Sequence, residues 1–151
     1  MARFTHSFIV ESDIGKVWKF YTNINHLIKI TPQNMRLEIL ETEGDDIREG
    51  AECTLQARIL TRSRWRSKIT RLEPYEYVDE MSGGAFRSWK HLHRFRSAGQ
   101  NKTEVIDQIE FELPFGVLGR AFEPYALRKL GEVFDYRKRA TIRELSQKSQ
   151  V

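Results

Sequence analysis

Two histidines and one aspartate are the residues of this chain whose types and spacing suit chemistry. The segment Phe86-Arg87-Ser88-Trp89-Lys90-His91-Leu92-His93-Arg94-Phe95-Arg96 alternates apolar and charged side chains. On a strand, Trp89, His91, His93 and Phe95 then share one face and Ser88, Lys90, Arg94 and Arg96 the other. Residues 103–113 alternate in the same way, with Val105, Asp107, Ile109, Phe111 and Leu113 on one face. The polar stretch Ala98-Gly99-Gln100-Asn101-Lys102 between them reads as a turn. Pairing the two apolar faces fixes the register, because a slip of one residue turns a face inside out. Phe95 then lies opposite Val105, His93 opposite Asp107, His91 opposite Ile109 and Trp89 opposite Phe111. A carboxylate bonded to one imidazole nitrogen leaves the other nitrogen as a general base, so His93 with Asp107 as its orienting partner is the candidate catalytic pair. The alternative is a buried polar network satisfied internally, and it is the reading preferred on the residues alone. His91, His93 and Asp107 supply three potential metal ligands, but nothing else in the sequence supports a metal, and none is expected. No Ser-His-Asp order, glycine-rich phosphate loop or CxxC motif is present, and no cofactor is called for.

Two long strands need a larger sheet and an apolar cover. Phe4, His6, Phe8 and Val10 mark a first strand. Ser12 or Asp13 caps a short helix whose stripe is Ile14, Val17, Trp18 and Tyr21; Ile24, Leu27 and Ile28 mark a second, ended by Pro32. From Met35 the period becomes two. Strands are expected around Met35-Arg36-Leu37-Glu38-Ile39-Leu40, across 51–59, across 65–69 and across 75–81, where Tyr75, Tyr77, Asp79 and Met81 share a face. Residues 118–147 read as one long helix, bent or starting near Pro124, with Leu118, Phe122, Tyr125, Leu130, Val133, Phe134, Ile142 and Leu145 largely on one side. Arg128, Lys129, Arg137, Lys138 and Arg139 fall mostly elsewhere. The order is strand, two short helices, six strands, long helix, and strands joined by short turns pair antiparallel. The fold class is α+β: a seven-stranded curved antiparallel sheet gripping a C-terminal helix, with a cavity between them.

This arrangement resembles the START-like, birch-allergen-like (SRPBCC) superfamily, in its polyketide cyclase/dehydrase or ligand-binding branch. The residues that carry the resemblance are Val17-Trp18-Lys19-Phe20, Ile30-Thr31-Pro32, Gly83-Gly84-Ala85-Phe86, the Trp89-x-His91-x-His93-x-Phe95 strand, Thr103 with Asp107, Leu113-Pro114-Phe115-Gly116 and Val133-Phe134-Asp135-Tyr136-Arg137. Ala85 departs from the proline that similar sequences often carry there. The resemblance spans nearly the whole chain and implies the helix-grip fold and a small-molecule cavity. It does not imply a reaction, because the fold hosts several activities.

The expected function is binding of a hydrophobic or amphipathic small molecule (lipid, polyketide or quinone-like), with a cavity lined by Tyr77, Met81, Trp89, His91, Phe95, Ile109, Phe111 and Phe122. One alternative is a cyclase/dehydrase-type enzyme using His93 and Asp107. A second is a ribosome- or RNA-associated module using Arg58, Arg62, Arg64, Arg66, Lys68 and Arg71, as in coenzyme-Q-binding-like relatives. The preferred reading of those cations is a solvated sheet face, so nucleic acid is not the expected partner. The 151 residues suit one domain, 1–147, followed by a flexible tail, 148–151. One cysteine, Cys53, excludes an intramolecular disulfide and suits a reducing cytoplasm. No membrane span is expected, and the net charge of +4 permits acidic partners without requiring them. The ligand's identity and the oligomeric state are left open.

Overall fold

A computed structural model describes residues 1–59 and 61–148. Its elements in chain order are β1 (Ala2–Val10), α1 (Ile14–Thr22), α2 (His26–Lys29), a 3-10 turn (Gln33–Met35), β2 (Glu38–Thr42), β3 (Glu52–Arg58), β4 (Arg62–Glu73), β5 (Glu76–Gly83), β6 (Ser88–Gly99), β7 (Lys102–Glu112), α3 (Gly116–Ala121) and α4 (Glu123–Lys148). The strands form one antiparallel sheet in the order β1-β7-β6-β5-β4-β3-β2, so β1 closes onto the last strand and every other neighbour is sequential. The register of β6 on β7 is the one the alternation requires: Phe95 pairs with Val105, His93 with Asp107, His91 with Ile109 and Trp89 with Phe111. The strand expected from Met35 begins three residues later, because residues 33–35 close a 3-10 turn and Arg36 adopts φ 49°.

Helix α1 starts where Asp13 accepts a hydrogen bond from the Gly15 backbone N–H, which satisfies one of the first-turn donors. Its Val17, Phe20 and Tyr21 are buried and pack with Phe8, Val10, Ile69, Phe95 and Val105. Helix α4 crosses the concave face. Phe134, Leu130 and Val133 meet Phe111 and Trp89, while Ala140 and Leu145 join the core around Phe20. The two halves of the core are thus joined by one helix laid across the sheet.

The long helix expected over 118–147, bent or starting near Pro124, starts there as α4, and residues 116–121 form the separate short α3. Pro124 has no N–H to donate to a continuous helix, so α3 ends at Ala121 with Phe122 as its C-cap, and Pro124 sits in the first turn of α4, where a missing donor costs little. As a result Leu118, Phe122 and Tyr125 are exposed rather than facing the core, and so is Ile142. Gly119 is the one buried residue of α3. A Cβ there would lie 2.2 Å from the Pro114 carbonyl oxygen and 3.1 Å from that of Leu113. Gly119→Ala is therefore expected to unseat α3, at a cost of roughly 1–3 kcal/mol, and to speed amide exchange over residues 116–122. Unchanged exchange would mean that the close approach does not hold the helix.

The tail expected from residue 148 falls, from 149 onward, outside the described residues, and Lys148 still belongs to α4. Arg58, Arg62, Arg64, Arg66, Lys68 and Arg71 are all exposed, and Arg71 pairs with Glu76. Among the described residues no helix is long and apolar enough to cross a membrane.

Candidate ligand site

Three strands place the polar groups of the concave face. Across β5, β6 and β7 one rung carries Tyr77, His93 and Asp107, and the next carries Asp79, His91 and Ile109. The rings of Tyr77 and His93 stack at 4.1 Å between centroids and 13° between planes, and those of His93 and His91 at 3.6 Å and 26°. This stack decides the hydrogen bonds. His93 and Asp107 share a rung, as the alternation requires, but they are not each other's main partner. The stacked imidazoles reach diagonally, a separation long side chains span. His91 Nε2 donates to Asp107 Oδ1 at 2.7 Å, and His93 Nε2 donates to Asp79 Oδ2 at 2.5 Å. The remaining sides are longer: His93 Nδ1 to Asp107 Oδ1 is 3.5 Å and His91 Nδ1 to Asp79 Oδ2 is 3.9 Å. The expected pair is thus a quartet of two imidazoles and two carboxylates. One nitrogen of His93 is bonded to Asp79, and the other, Nδ1, is buried without a hydrogen-bond partner.

Burial and charge set the protonation of this quartet. Burial alone would raise the Asp107 carboxyl, but the hydrogen bond from His91 and the nearby His91 and Arg137 charges prevail and bring it down to about 2. Asp79 is lowered in the same way, its burial outweighed chiefly by the His93 hydrogen bond. Burial is also the main cause that pushes His93 down to about 4, with the neighbouring His91 imidazole adding to it against the pull of Asp79. Both carboxylates are therefore ionised at neutral pH and His93 is neutral.

Arg137 of α4 completes the floor. Only 8 % exposed, its guanidinium lies 5.0 Å from the Phe134 ring centroid and 5.9 Å from that of Tyr21, and its Nε is buried with no hydrogen-bond partner. Beside it, the Tyr21 hydroxyl bonds the Thr141 hydroxyl at 2.7 Å, and the Tyr77 hydroxyl donates to the Tyr21 carbonyl at 3.4 Å. Burial raises both phenols, so they stay protonated.

A cavity of about 170 Å³ opens above this floor. Its walls come from the concave face of β3 to β6 and from residues 20–30, with the β2–β3 connection at its mouth; α4 contributes Arg137. Of the residues expected to line a cavity, Tyr77 and His91 do, and so does His93. Trp89 and Phe111 instead pack beneath α4, Ile109 is buried with them, and Phe95 is core between Trp18, Tyr21 and Tyr77. Met81 pairs with Trp89 across the strands, outside the lining, and Phe122 is 63 % exposed. The cavity lies toward the α1 and β2–β3 end because α4 fills the other end with Leu127, Leu130 and Val133.

Cys53 lines the cavity half-buried, and burial, aided by Asp79, pushes its thiol up to about 11, away from the reactive thiolate. Asp79, His91 and His93 bring one potential ligand atom each within 4.8 Å of one another. The two imidazoles are stacked there, and His93 is hydrogen-bonded to Asp79.

The sequence reading missed Asp79 and Arg137 as site residues. Asp79 carried a signal, since it shares the inward face with Tyr77. Arg137 carried one too, since it falls on the apolar period of Leu130, Val133 and Phe134, although it opens the basic run Arg137-Lys138-Arg139.

The family model for polyketide cyclase / dehydrase and lipid transport matches residues 10–134. No curated protein matches the chain. Solved structures do. TTHA0849 from Thermus thermophilus superposes with a TM-score of 0.78 at 13% identity, over 98% of this chain and 99% of that one. A START superfamily protein from Mycobacterium smegmatis gives 0.76 at 12% identity, over 96% and 97%. Norcoclaurine synthase from Thalictrum flavum, in complex with dopamine and hydroxybenzaldehyde, gives 0.71 at 13% identity, over 97% and 87%. At these identities the likeness is one of fold. Most of the chain's length is matched by the family model, and the chain belongs to the polyketide cyclase / dehydrase and lipid transport family.

Proposed function

We propose that this protein binds one amphipathic molecule about the size of a single aromatic ring, with an acceptor oxygen of the ligand on Arg137. The observation that carries this is a buried guanidinium with an orphan Nε at the floor of a cavity whose walls include Phe20, Leu55, Trp65 and Ile69. An arginine only donates, so the group it waits for is a carboxylate, phenolate or carbonyl. Volume supports the size: an apolar cavity of ~150 Å³ takes up benzene, whereas drug-sized ligands occupy roughly 300 Å³ or more. The norcoclaurine synthase structure holds dopamine and hydroxybenzaldehyde, each a one-ring phenol.

Binding is favoured over the general-base alternative by the state of His93. A base must present a lone pair to its substrate. The His93 Nε2 is committed to Asp79, and its Nδ1 is sealed against the Asp107 side.

Trp65 stands in the cavity wall and reports occupancy. Benzoate and 4-hydroxybenzaldehyde are expected to change tryptophan emission saturably, and Trp65→Phe to remove that response. Arg137→Gln should weaken benzoate by about tenfold or more, the worth of a charge-assisted hydrogen bond. Arg137→Lys, which keeps the charge but not the fork, should fall between. Benzylamine binding more tightly than benzoate would reverse the polarity assigned to the floor.

A further inference from the structure

Residues 115–122 send large apolar side chains into solvent: Phe115 is 82 % exposed, Val117 80 %, Leu118 71 % and Phe122 63 %. Isolated exposed apolar residues are ordinary, but four within eight positions form a patch of the kind that marks an interaction surface. The patch is held outward by the backbone. Phe115 sits at φ 70°, a conformation a bulky residue rarely adopts, and no side chain caps the helix it opens. Gly119 then seats α3 directly on the carbonyls of Leu113 and Pro114, which leaves the flanking side chains no way in. Local strain that keeps apolar groups wet is seldom retained without use.

The surroundings are basic. Arg120 lies within α3, and Arg128 and Lys129 both stand over the Tyr125 ring in the first turns of α4. Arg3, Arg87, Arg62 and Arg64 belong to the same end of the sheet, where β1 starts beside the end of β7 and where β6 and β4 begin. The carboxylates at this end are Glu38, which shares a rung with Arg64 across Gln56, and Glu110, Glu112, Glu123 and Glu132. Glu110 pairs with Arg3, Glu112 with Arg87 and Glu132 with Lys129, so that Arg62, Arg64, Arg120 and Arg128 have no carboxylate partner among the described residues. A second copy docked here about a two-fold axis would set this basic rim against itself. Val117 and Leu118 make half of the patch aliphatic, which suits an acyl boundary better than base stacking, although Phe115 and Phe122 do present rings.

We propose that this end of the molecule docks on an anionic lipid bilayer, with Phe115, Val117, Leu118 and Phe122 entering the headgroup–acyl boundary and the arginines holding the lipid phosphates. Apolar insertion and basic attraction together are what peripheral binding needs. The surface is separate from the cavity, which opens at the other end of the sheet, beside residues 23–26 and 42–47.

The test is sedimentation of the whole protein with vesicles of phosphatidylcholine, alone or with about one-third phosphatidylglycerol. Wild type should partition onto the mixed vesicles and stay free of the neutral ones. Phe115→Ser/Leu118→Ser, both at exposed positions, should lower partitioning by about tenfold with an unchanged circular dichroism spectrum. Arg120→Glu should lower it as well, and more at low salt than at high. The proposal is overturned if the double variant partitions like wild type, or if neither vesicle binds. It is overturned equally if the protein is a dimer that the double variant dissolves, or if it binds polyuridylate but no vesicle.

Discussion

Asp107→Ala is expected to cost roughly 3–5 kcal/mol of stability in denaturant unfolding, because it leaves buried partners uncompensated. Asp107 is almost wholly buried, accepts from His91 at 2.7 Å and lies in the field of the buried Arg137. Removing its charge strands a desolvated donor and a desolvated cation together. The diagonal geometry sharpens the expectation into a ranking. Double-mutant cycles should give coupling of about 1–3 kcal/mol for His91 with Asp107 and for His93 with Asp79, and distinctly less for His93 with Asp107. Those pairs are 2.7, 2.5 and 3.5 Å apart respectively. The rung-based reading of the ladder ranks the last pair first. A cycle in which His93 and Asp107 couple most strongly would restore that reading and break the quartet.

The same quartet shows what a sequence can reveal and where it stops. The register of β6 on β7 was legible because a slip of one residue would put Trp89 and Phe95 on the face opposite Val105 and Phe111, and the short turn leaves little room for a slip of two. Register fixes which side chains share a face. It does not fix which of several reachable partners each one takes. That choice came from ring stacking, through Tyr77 on the third strand, and from Asp79, whose position relative to His91 depends on a separate hairpin.

Helix α4 marks the other limit. Its existence and its packing on Trp89 and Phe111 followed from the apolar period, and the same period carries the buried Arg137, although its charge marks it as solvent-facing in sequence. The period gives its side of the helix; what the guanidinium meets there depends on how the helix crosses the sheet, a tertiary quantity. Phe122 misled for the opposite reason. The stripe that carries it is continuous in sequence, but Pro124 interrupts the helix and turns α3 outward, so an apolar residue assigned to the pocket stands in solvent. The cavity was displaced from its expected place for a related reason. Its mouth is built by loops and the short α2, elements with weak periodicity, while the region beneath α4 is filled.

Acid should unfold this protein in two stages, and the first should begin well above the range where carboxylates act. In the folded protein His93 is pushed down from its ordinary 6.5 to about 4, chiefly by burial. The unfolded chain therefore takes up this proton before the native state does. The neutral-His93 contribution is fully present above about pH 6.5, declines as the pH falls, and is gone below about 4; its size is about 3 kcal/mol, at ~1.4 kcal/mol per pKa unit. This direction is opposite to that of a histidine held as an ion pair, which would stabilise on acidification. Asp107, held down at about 2, and Asp79, lowered likewise, supply the second stage. Their contribution is present above the unfolded carboxylate range near 3.8 and is lost as the pH falls through the folded values. Both stages weaken the fold in acid and neither offsets the other. Unfolding free energy measured from pH 8 to pH 4 should thus fall with a slope approaching one proton per molecule around pH 5. In His93→Gln, which keeps an amide donor for Asp79 but cannot titrate, that proton should be missing from the slope while the loss below pH 4 persists. If His93→Gln loses stability toward pH 4 as steeply as wild type, His93 is not the group held neutral. If wild type instead gains stability between pH 6.5 and 5, His93 is protonated in the folded state and bridges both carboxylates.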